Sequence, residues 1–203
     1  MEIWLTFVVT IINDESDSNL AANDLSLREA IEQANLTGAP DQITFDAGFS
    51  GSTLRLTQGE LQITRAVTID GDLDNDNAPD IIITGDANAN DSTDAAGITN
   101  VFATSLASLA DNSRIFNVNA ASATTTLTGR TLTGGHTTSD SNSYTGAPAF
   151  GGGAVRSIAP LNIINSVIDG NDTTGRYSYG GGIFSSQATY VDNSVIANNL
   201  TRG

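Results

Sequence analysis

The sequence predicts an all-β protein, a solenoid of stacked coils of about 28 residues behind one N-terminal capping helix. Three observations predict it. From residue 150 onward the chain repeats at an offset of 28 with no gap: Asn165-Ser166-Val167-Ile168 recurs as Asn193-Ser194-Val195-Ile196, and Gly152-Gly153-Ala154-Val155 falls on Gly180-Gly181-Gly182-Ile183. An earlier copy stands 36 residues upstream, with Leu127, Leu132, Gly134, Thr137 and Thr138 preceding Ile163, Ile168, Gly170, Thr173 and Thr174. The repeated units are short β-branched runs parted by Gly and Asn, which is a period made of strands and turns. One copy cannot bury its inward side chains alone. Stacking at the strand spacing of about 4.8 Å puts Ile168 over Ile196 and Asn165 over Asn193, where like asparagines can hydrogen-bond along a ladder.

The elements follow in order. Ile3 to Ile12 is an apolar run of ten whose β-branched content reads as a buried strand. It is too short to cross a bilayer, and Glu2 in place of a basic n-region argues against a signal peptide. After the polar stretch Asn13 to Asp24, Leu25 to Asn35 reads as a helix, with Ser26 and Glu29 as a capping box and Leu27, Ala30, Ile31 and Ala34 on one face. Asn35, Gly38 and Pro40 end it. Such a helix serves as a lid over the first coil, so residues 1–50 are expected to form an N-terminal cap. Residues 51–203 supply about five coils, a rod on the order of 25 Å long, with a weaker copy at Val67-Thr68-Ile69-Asp70-Gly71. The eight residues by which the two offsets differ fall within Ser139 to Ala149, a surface-loop insertion. The clusters Gly151–Gly153 and Gly180–Gly182 read as tight turns; neither is followed by a helix, so neither fits a phosphate cradle.

Composition narrows the chemistry. The chain carries 8 Lys+Arg, all arginine, against 23 Asp+Glu, a formal net charge of −15. That balance excludes nucleic-acid binding by bulk charge and docking on an anionic membrane. With no cysteine and one histidine, thiolate sites, disulfides and imidazole clusters are excluded. Carboxylate, amide, hydroxyl and arginine chemistry remain.

The run Leu25-Ser26-Leu27-Arg28-Glu29-Ala30-Ile31, then Asp41 to Phe45, Leu54-Arg55-Leu56, Gly59-Glu60-Leu61 and Val67 to Gly71, resembles secreted bacterial proteins with a CSLREA-type N-terminal cap. The later Asn-Ser-x-Ile and Gly-Gly-Gly-Ile units are similar too, so the resemblance covers essentially the whole chain. Leu25 stands where that motif usually opens with cysteine, keeping the apolar volume. The resemblance implies a right-handed single-stranded parallel β-helix, an extracellular or cell-surface location, and a structural or adhesive role without enzymatic activity. Because the chain stops at Gly203 just after a coil, it further implies a fragment, or a subunit whose open end docks or self-associates.

The strongest constellation for chemistry is Asp72, Asp74, Asp76 and Asp80, at positions 1, 3, 5 and 9 of a D-x-D-x-D loop flanked by strands. Alternate residues of a tight turn converge their oxygens on one hard cation, so Ca²⁺ is the expected cofactor. Asn77 and Ile83 stand where a helix-flanked calcium loop has glycine and a closing glutamate, and the competing reading is a solvated acidic loop. Asp86, Asp91 and Asp94 read as a looser exposed loop. His136, in a turn, reads as a surface residue, and Arg130 as a packed stem whose head reaches solvent, the alternative being an internal pair with a nearby aspartate. Tyr144, Arg176, Tyr177 and Tyr179 project from successive copies and suit a contact surface for glycans or cell-surface proteins. A carbohydrate-active enzyme, lyase or glycosidase, is the alternative on such a scaffold. A glycosidase needs two facing carboxylates roughly 5–10 Å apart, and Asp169 and Asp192 occupy non-equivalent positions. A self-assembling fibre or surface-layer subunit is the third reading.

Overall fold

Short alternating runs form the strands, each burying every second side chain: Val67, Ile69, Leu161 and Ile163 point inward while Thr68 and Asn162 face out. The computed structural model describes residues 4–202 apart from 22, 39, 103, 106, 121–122 and 140–150. Among these are 18 strands, one α-helix and two 3₁₀ turns. No helix among them is long and apolar enough to cross a membrane.

Four parallel sheets form. The six-stranded sheet runs Thr6–Val9, Asp41–Phe45, Val67–Asp70, Thr125–Thr128, Leu161–Ile164 and Thr189–Asp192. The five-stranded sheet runs Thr53–Arg55, Ile81–Thr84, Arg130–Thr133, Val167–Asp169 and Val195–Ala197. Leu61–Ile63, Phe116–Val118, Val155–Ser157 and Ile183–Ser185 make the four-stranded sheet; His136–Ser139, Asp172–Gly175 and Leu200–Arg202 make the three-stranded one. From Leu161–Ile164 the chain visits the five-, three- and four-stranded sheets in turn. It then returns to the six-stranded sheet at Thr189–Asp192, one strand further on.

The register reproduces both sequence offsets. Ile163 pairs with Val191, Ile168 with Ile196 and Thr173 with Thr201, 28 residues apart. Leu127 pairs with Ile163, Leu132 with Ile168 and Thr137 with Thr173, 36 apart. Inward side chains therefore form continuous rows: Ile43, Ile69, Leu127 and Ile163 in one sheet, Leu54, Ile83, Leu132 and Ile168 in another, all fully buried. The turn asparagines stack as well. Asn193 Nδ2 donates to Asn165 Oδ1 at 2.9 Å and Asn171 Nδ2 to Asn199 Oδ1 at 2.9 Å. In the glycine clusters the N–H groups of Gly152 and Gly153 donate to the carbonyls of Gly180 and Gly181, so these two are engaged in the stack.

At the N-terminal end the helix Leu27–Leu36 lies against Thr6–Val9, Asp41–Phe45 and Leu61–Ile63, burying Leu27, Ala30, Ile31 and Ala34. The capping box forms: Ser26 Oγ accepts from the Glu29 N–H at 3.1 Å, and the Glu29 carboxylate from the Ser26 N–H at 3.1 Å. The helix starts two residues later than expected, because Ser26 is itself the extended N-cap, and Thr37 closes it. Arg28 ties the lid down, pairing with Asp14 at 2.7 Å and donating to the Gly59 carbonyl at 2.7 Å.

The first strand corrects the sequence reading. Among the described residues of that run only Thr6–Val9 is strand, and it is the edge of the six-stranded sheet; Val9 is buried while Leu5 and Val8 are each 42% exposed. An edge strand packs one face only.

Candidate metal centre

The acidic loop joins Val67–Asp70 to Ile81–Thr84, so its two ends are held by adjacent sheets. Asn75 and Asn77 take positive φ (62° and 66°), which winds the loop tightly enough for its carboxylates to accept main-chain N–H groups. Asp72 accepts from the N–H of Asp76 at 3.1 Å and of Asn77 at 3.1 Å. Asp80 accepts from the Leu73 N–H at 2.7 Å and the Ser50 hydroxyl at 2.7 Å. The Ser50 bond first, then the Leu73 N–H, hold the Asp80 carboxyl below its ordinary range, so it stays ionised.

Asp72, Asp74 and Asp80 each bring one carboxylate oxygen within 4.8 Å of the others, a group that can hold a metal ion. Three anions so placed repel by roughly 1 kcal/mol per pair even at the dielectric of water, and a cation removes that cost. The oxygen-only donor set suits a hard cation. Asp76 is not in this group; its carboxylate accepts the Ala78 N–H at 2.8 Å instead. The loop is also docked on the asparagine turns: Asn165 Nδ2 donates to Asn77 Oδ1 at 3.1 Å.

A second acidic group escaped the sequence reading. Glu15, Asp17 and Asp24 bring carboxylate oxygens within 4.8 Å of one another beside the helix N-terminus. Partial desolvation and then the charges of Asp17, Asp24 and Glu29 push the Glu15 carboxyl up. No regular spacing announces this group, because the intervening loop brings Asp24 back to Glu15.

Asp86, Asp91 and Asp94 do not gather. Asp86 is buried, not exposed as expected, and pairs with Arg55 at 3.0 Å. Asp91 accepts from Asn112 at 2.7 Å, and burial pushes its carboxyl up to about 6. Only Asp94 lies exposed in a turn.

Two further expectations are corrected. Arg130 is completely buried and its head does not reach solvent. Its guanidinium donates to the Thr128 carbonyl at 2.8 Å and to the Ile69 carbonyl, lacing two neighbouring strands of the six-stranded sheet. Burial lowers its pKa to about 9, with nearby Asp70 opposing. His136 is 7% exposed and opens a strand rather than sitting in a surface turn. Its Nε2 lies 2.9 Å from the Thr138 hydroxyl, and its register partner is the fully buried Asp172. Asp172 lies 3.0 Å from Arg202 Nε, off the hydrogen-bond axis, while Arg202 Nη2 donates to the Val101 carbonyl. Burial pushes Asp172 up to about 6, outweighing Arg202; burial and then Arg202 hold His136 down to about 4. Through Arg202 the trio reaches Val101 in the segment that links Ile81–Thr84 to Phe116–Val118, a contact that sequence reasoning had no means to place.

Arg176, Tyr177 and Tyr179 are exposed in the turn after Asp172–Gly175, and the Tyr179 ring lies 6.3 Å from that of Phe184. Tyr144 falls outside the described residues. Asp169 and Asp192 lie in different sheets, five- and six-stranded.

Compared with known proteins, the chain matches no family model, no curated protein and no solved structure.

Proposed function

We propose that this chain is a right-handed parallel β-helix module of a secreted or cell-surface bacterial protein, a non-enzymatic structural or adhesive rod stiffened by calcium. The observation that carries the reading is the register, in which copies 28 and 36 residues apart lie strand on strand with matching aliphatics buried. Stacked repeats of this kind give a rigid body whose outer rows, such as Gln62, Asn117 and Arg156, form extended polar contact faces. Arg176, Tyr177 and Tyr179 extend such a face with the residue types used in recognition of glycans or proteins, and Tyr144 is the fourth candidate by its sequence alone. Asp72, Asp74 and Asp80 would hold Ca²⁺, and through Asn77 the ion would brace the asparagine turns.

The test is thermal unfolding of the chelator-treated protein with and without CaCl₂. At 100 times Kd, calcium binding adds about 2.7 kcal/mol, a rise in Tm of roughly 5–10 °C at this size. Asp72→Asn and Asp80→Asn should abolish the rise. No rise in the parent protein overturns the calcium assignment. Reducing-sugar or unsaturated product released from polysaccharide panels overturns the non-enzymatic reading.

A second reading, self-association, is favoured by the last strands. Val191 and Ile196 are 42% and 47% exposed, although their register partners Ile163 and Ile168 are fully buried. Concentration-dependent dimers or filaments by light scattering, lost in Ile196→Asp, would support it; a strict monomer would dismiss it.

A further inference from the structure

All four sheets end on strands of the same repeat: Ile183–Ser185, Thr189–Asp192, Val195–Ala197 and Leu200–Arg202. The two ends of the stack differ. At one, the inward side chains are sealed: Ile43, Leu54 and Ile63 are at most 1% exposed, and the helix Leu27–Leu36 lies against the strands that carry Ile43 and Ile63. At the other, the inward rows stand open at Val191 and Ile196, and Val195 beside them is 54% exposed. The usual guards of an open edge are lysine, proline and charge, and these four strands contain no proline or lysine. Their only charges are Asp192 and Arg202, and Arg202 lies 3.0 Å from Asp172 of the preceding repeat.

Two observations say what fits this end. The first is charge. Residues 176–203 carry Arg176 and Arg202 against Asp192, a formal +1 on a chain of −15. A second molecule, equally acidic, therefore meets the least repulsion here, whereas a basic partner would be drawn to the carboxylates elsewhere on the surface. The second is self-complementarity. The layer Asn193-Ser194-Val195-Ile196 already takes an identical layer as its neighbour, with Val195 on Val167, Ile196 on Ile168, and Asn193 Nδ2 donating to Asn165 Oδ1 at 2.9 Å. Its open side continues that same interface.

From this we infer that two molecules of this chain dock end repeat to end repeat about a two-fold axis, and that assembly stops at two. The two-fold relation runs the facing strands antiparallel, a pairing slightly more stable per residue than the parallel one inside each molecule. The same patch is used twice, so the contact closes. A fibre would need the open end of one molecule to seat on the opposite end of the next, where the inward rows are sealed and the helix lies. The inference rests on the self-association reading and narrows it from dimers or filaments to one closed dimer. It does not depend on calcium.

The experiment is sedimentation velocity on the full chain over a concentration series, joined to distance measurement between spin labels. Monomer and dimer alone are expected. Added NaCl tightens the dimer, because screening relieves the repulsion between two acidic bodies. Val195→Lys and Ile196→Asp, at positions about half exposed in the single molecule, each weaken it tenfold or more, with circular dichroism unchanged. Geometry is read independently of those variants. The chain has no cysteine, so one label can be placed by Gln187→Cys in the end repeat or by Leu36→Cys on the helix, both exposed positions. Labels at 187 lie closer together in the dimer than labels at 36, which stand two rod lengths apart, on the order of 50 Å. Loss of the dimer on labelling 187 but not 36 upholds the same geometry. Filaments, labels at 36 closer than those at 187, weakening by salt, or a dimer indifferent to both Val195→Lys and Ile196→Asp overturn the inference and leave self-association standing. A monomer at every concentration overturns both.

Discussion

The same four letters, Asn-Ser-Val-Ile, are written at 165–168 and 193–196, yet alanine substitution at the two isoleucines should have unequal cost. Ile168 is fully buried between Leu132 and Ile196, whereas Ile196 is 47% exposed at the edge of the five-stranded sheet. Ile→Ala removes three carbons, about 2.4 kcal/mol of transfer energy at about 0.8 each. At Ile168 a cavity is left in a row that cannot collapse, because strands on both sides fix its walls, so the total reaches about 3–4 kcal/mol. At Ile196 about half the transfer term applies and no cavity closes over, so the cost is about 1 kcal/mol. For a chain of this length each kcal/mol moves Tm by roughly 2–4 °C, giving a fall of about 6–16 °C for Ile168→Ala and about 2–4 °C for Ile196→Ala. Differential scanning calorimetry at low protein concentration measures both. Equal, large losses would refute the exposed-edge argument: Ile196 would then be covered in solution, and a concentration series would show by what.

Two further outcomes follow from the buried polar groups. Asp172, pushed up to about 6, stabilises the fold when protonated; that contribution is present at low pH and is lost as pH rises through about 6. His136, held near 4, acts oppositely: its contribution is present above the usual imidazole value of about 6.5 and is lost as pH falls through about 4. Each amounts to about 3 kcal/mol, so the two largely cancel between pH 4 and 6. Urea melts of Asp172→Asn should therefore gain stability relative to the parent as pH rises from 4 to 6.5, and His136→Gln should lose it; parallel profiles would dismiss the linkage. Arg130→Ala should cost about 3–5 kcal/mol in urea midpoint analysis, chiefly because a cavity opens along the fully buried stem, with the laced carbonyls of Ile69 and Thr128 losing their donor as well. Arg130→Met, keeping the stem volume and removing the buried charge, should cost markedly less. A Met variant as weak as the Ala variant would show that the guanidinium, not the stem, holds the strands.

The stack was legible because repetition writes its contacts into the sequence. When Ile168 and Ile196 stand at the same place in successive copies, strand pairing brings them together with no further information, and so it is with Asn165 and Asn193. The capping box was legible for a related reason, since both its partners lie within one helical turn. The acidic loop was read correctly as strand-flanked, but its spacing did not reveal that Asp76 turns to Ala78 while Asp72, Asp74 and Asp80 converge.

Composition and period thus determined the parallel strands, their register and the helix on the first copy. Tertiary structure alone decided the fate of residues that have no counterpart in the next copy. Thr99 and its neighbours lie across the turns, demanding glycine at 134 and 170 and leaving a cavity where Asn198 takes their place, and His136 and Asp172 end up buried. A repeat encodes neighbours at a fixed offset, whereas an excursion between strands finds its neighbours only once the stack exists to fold against.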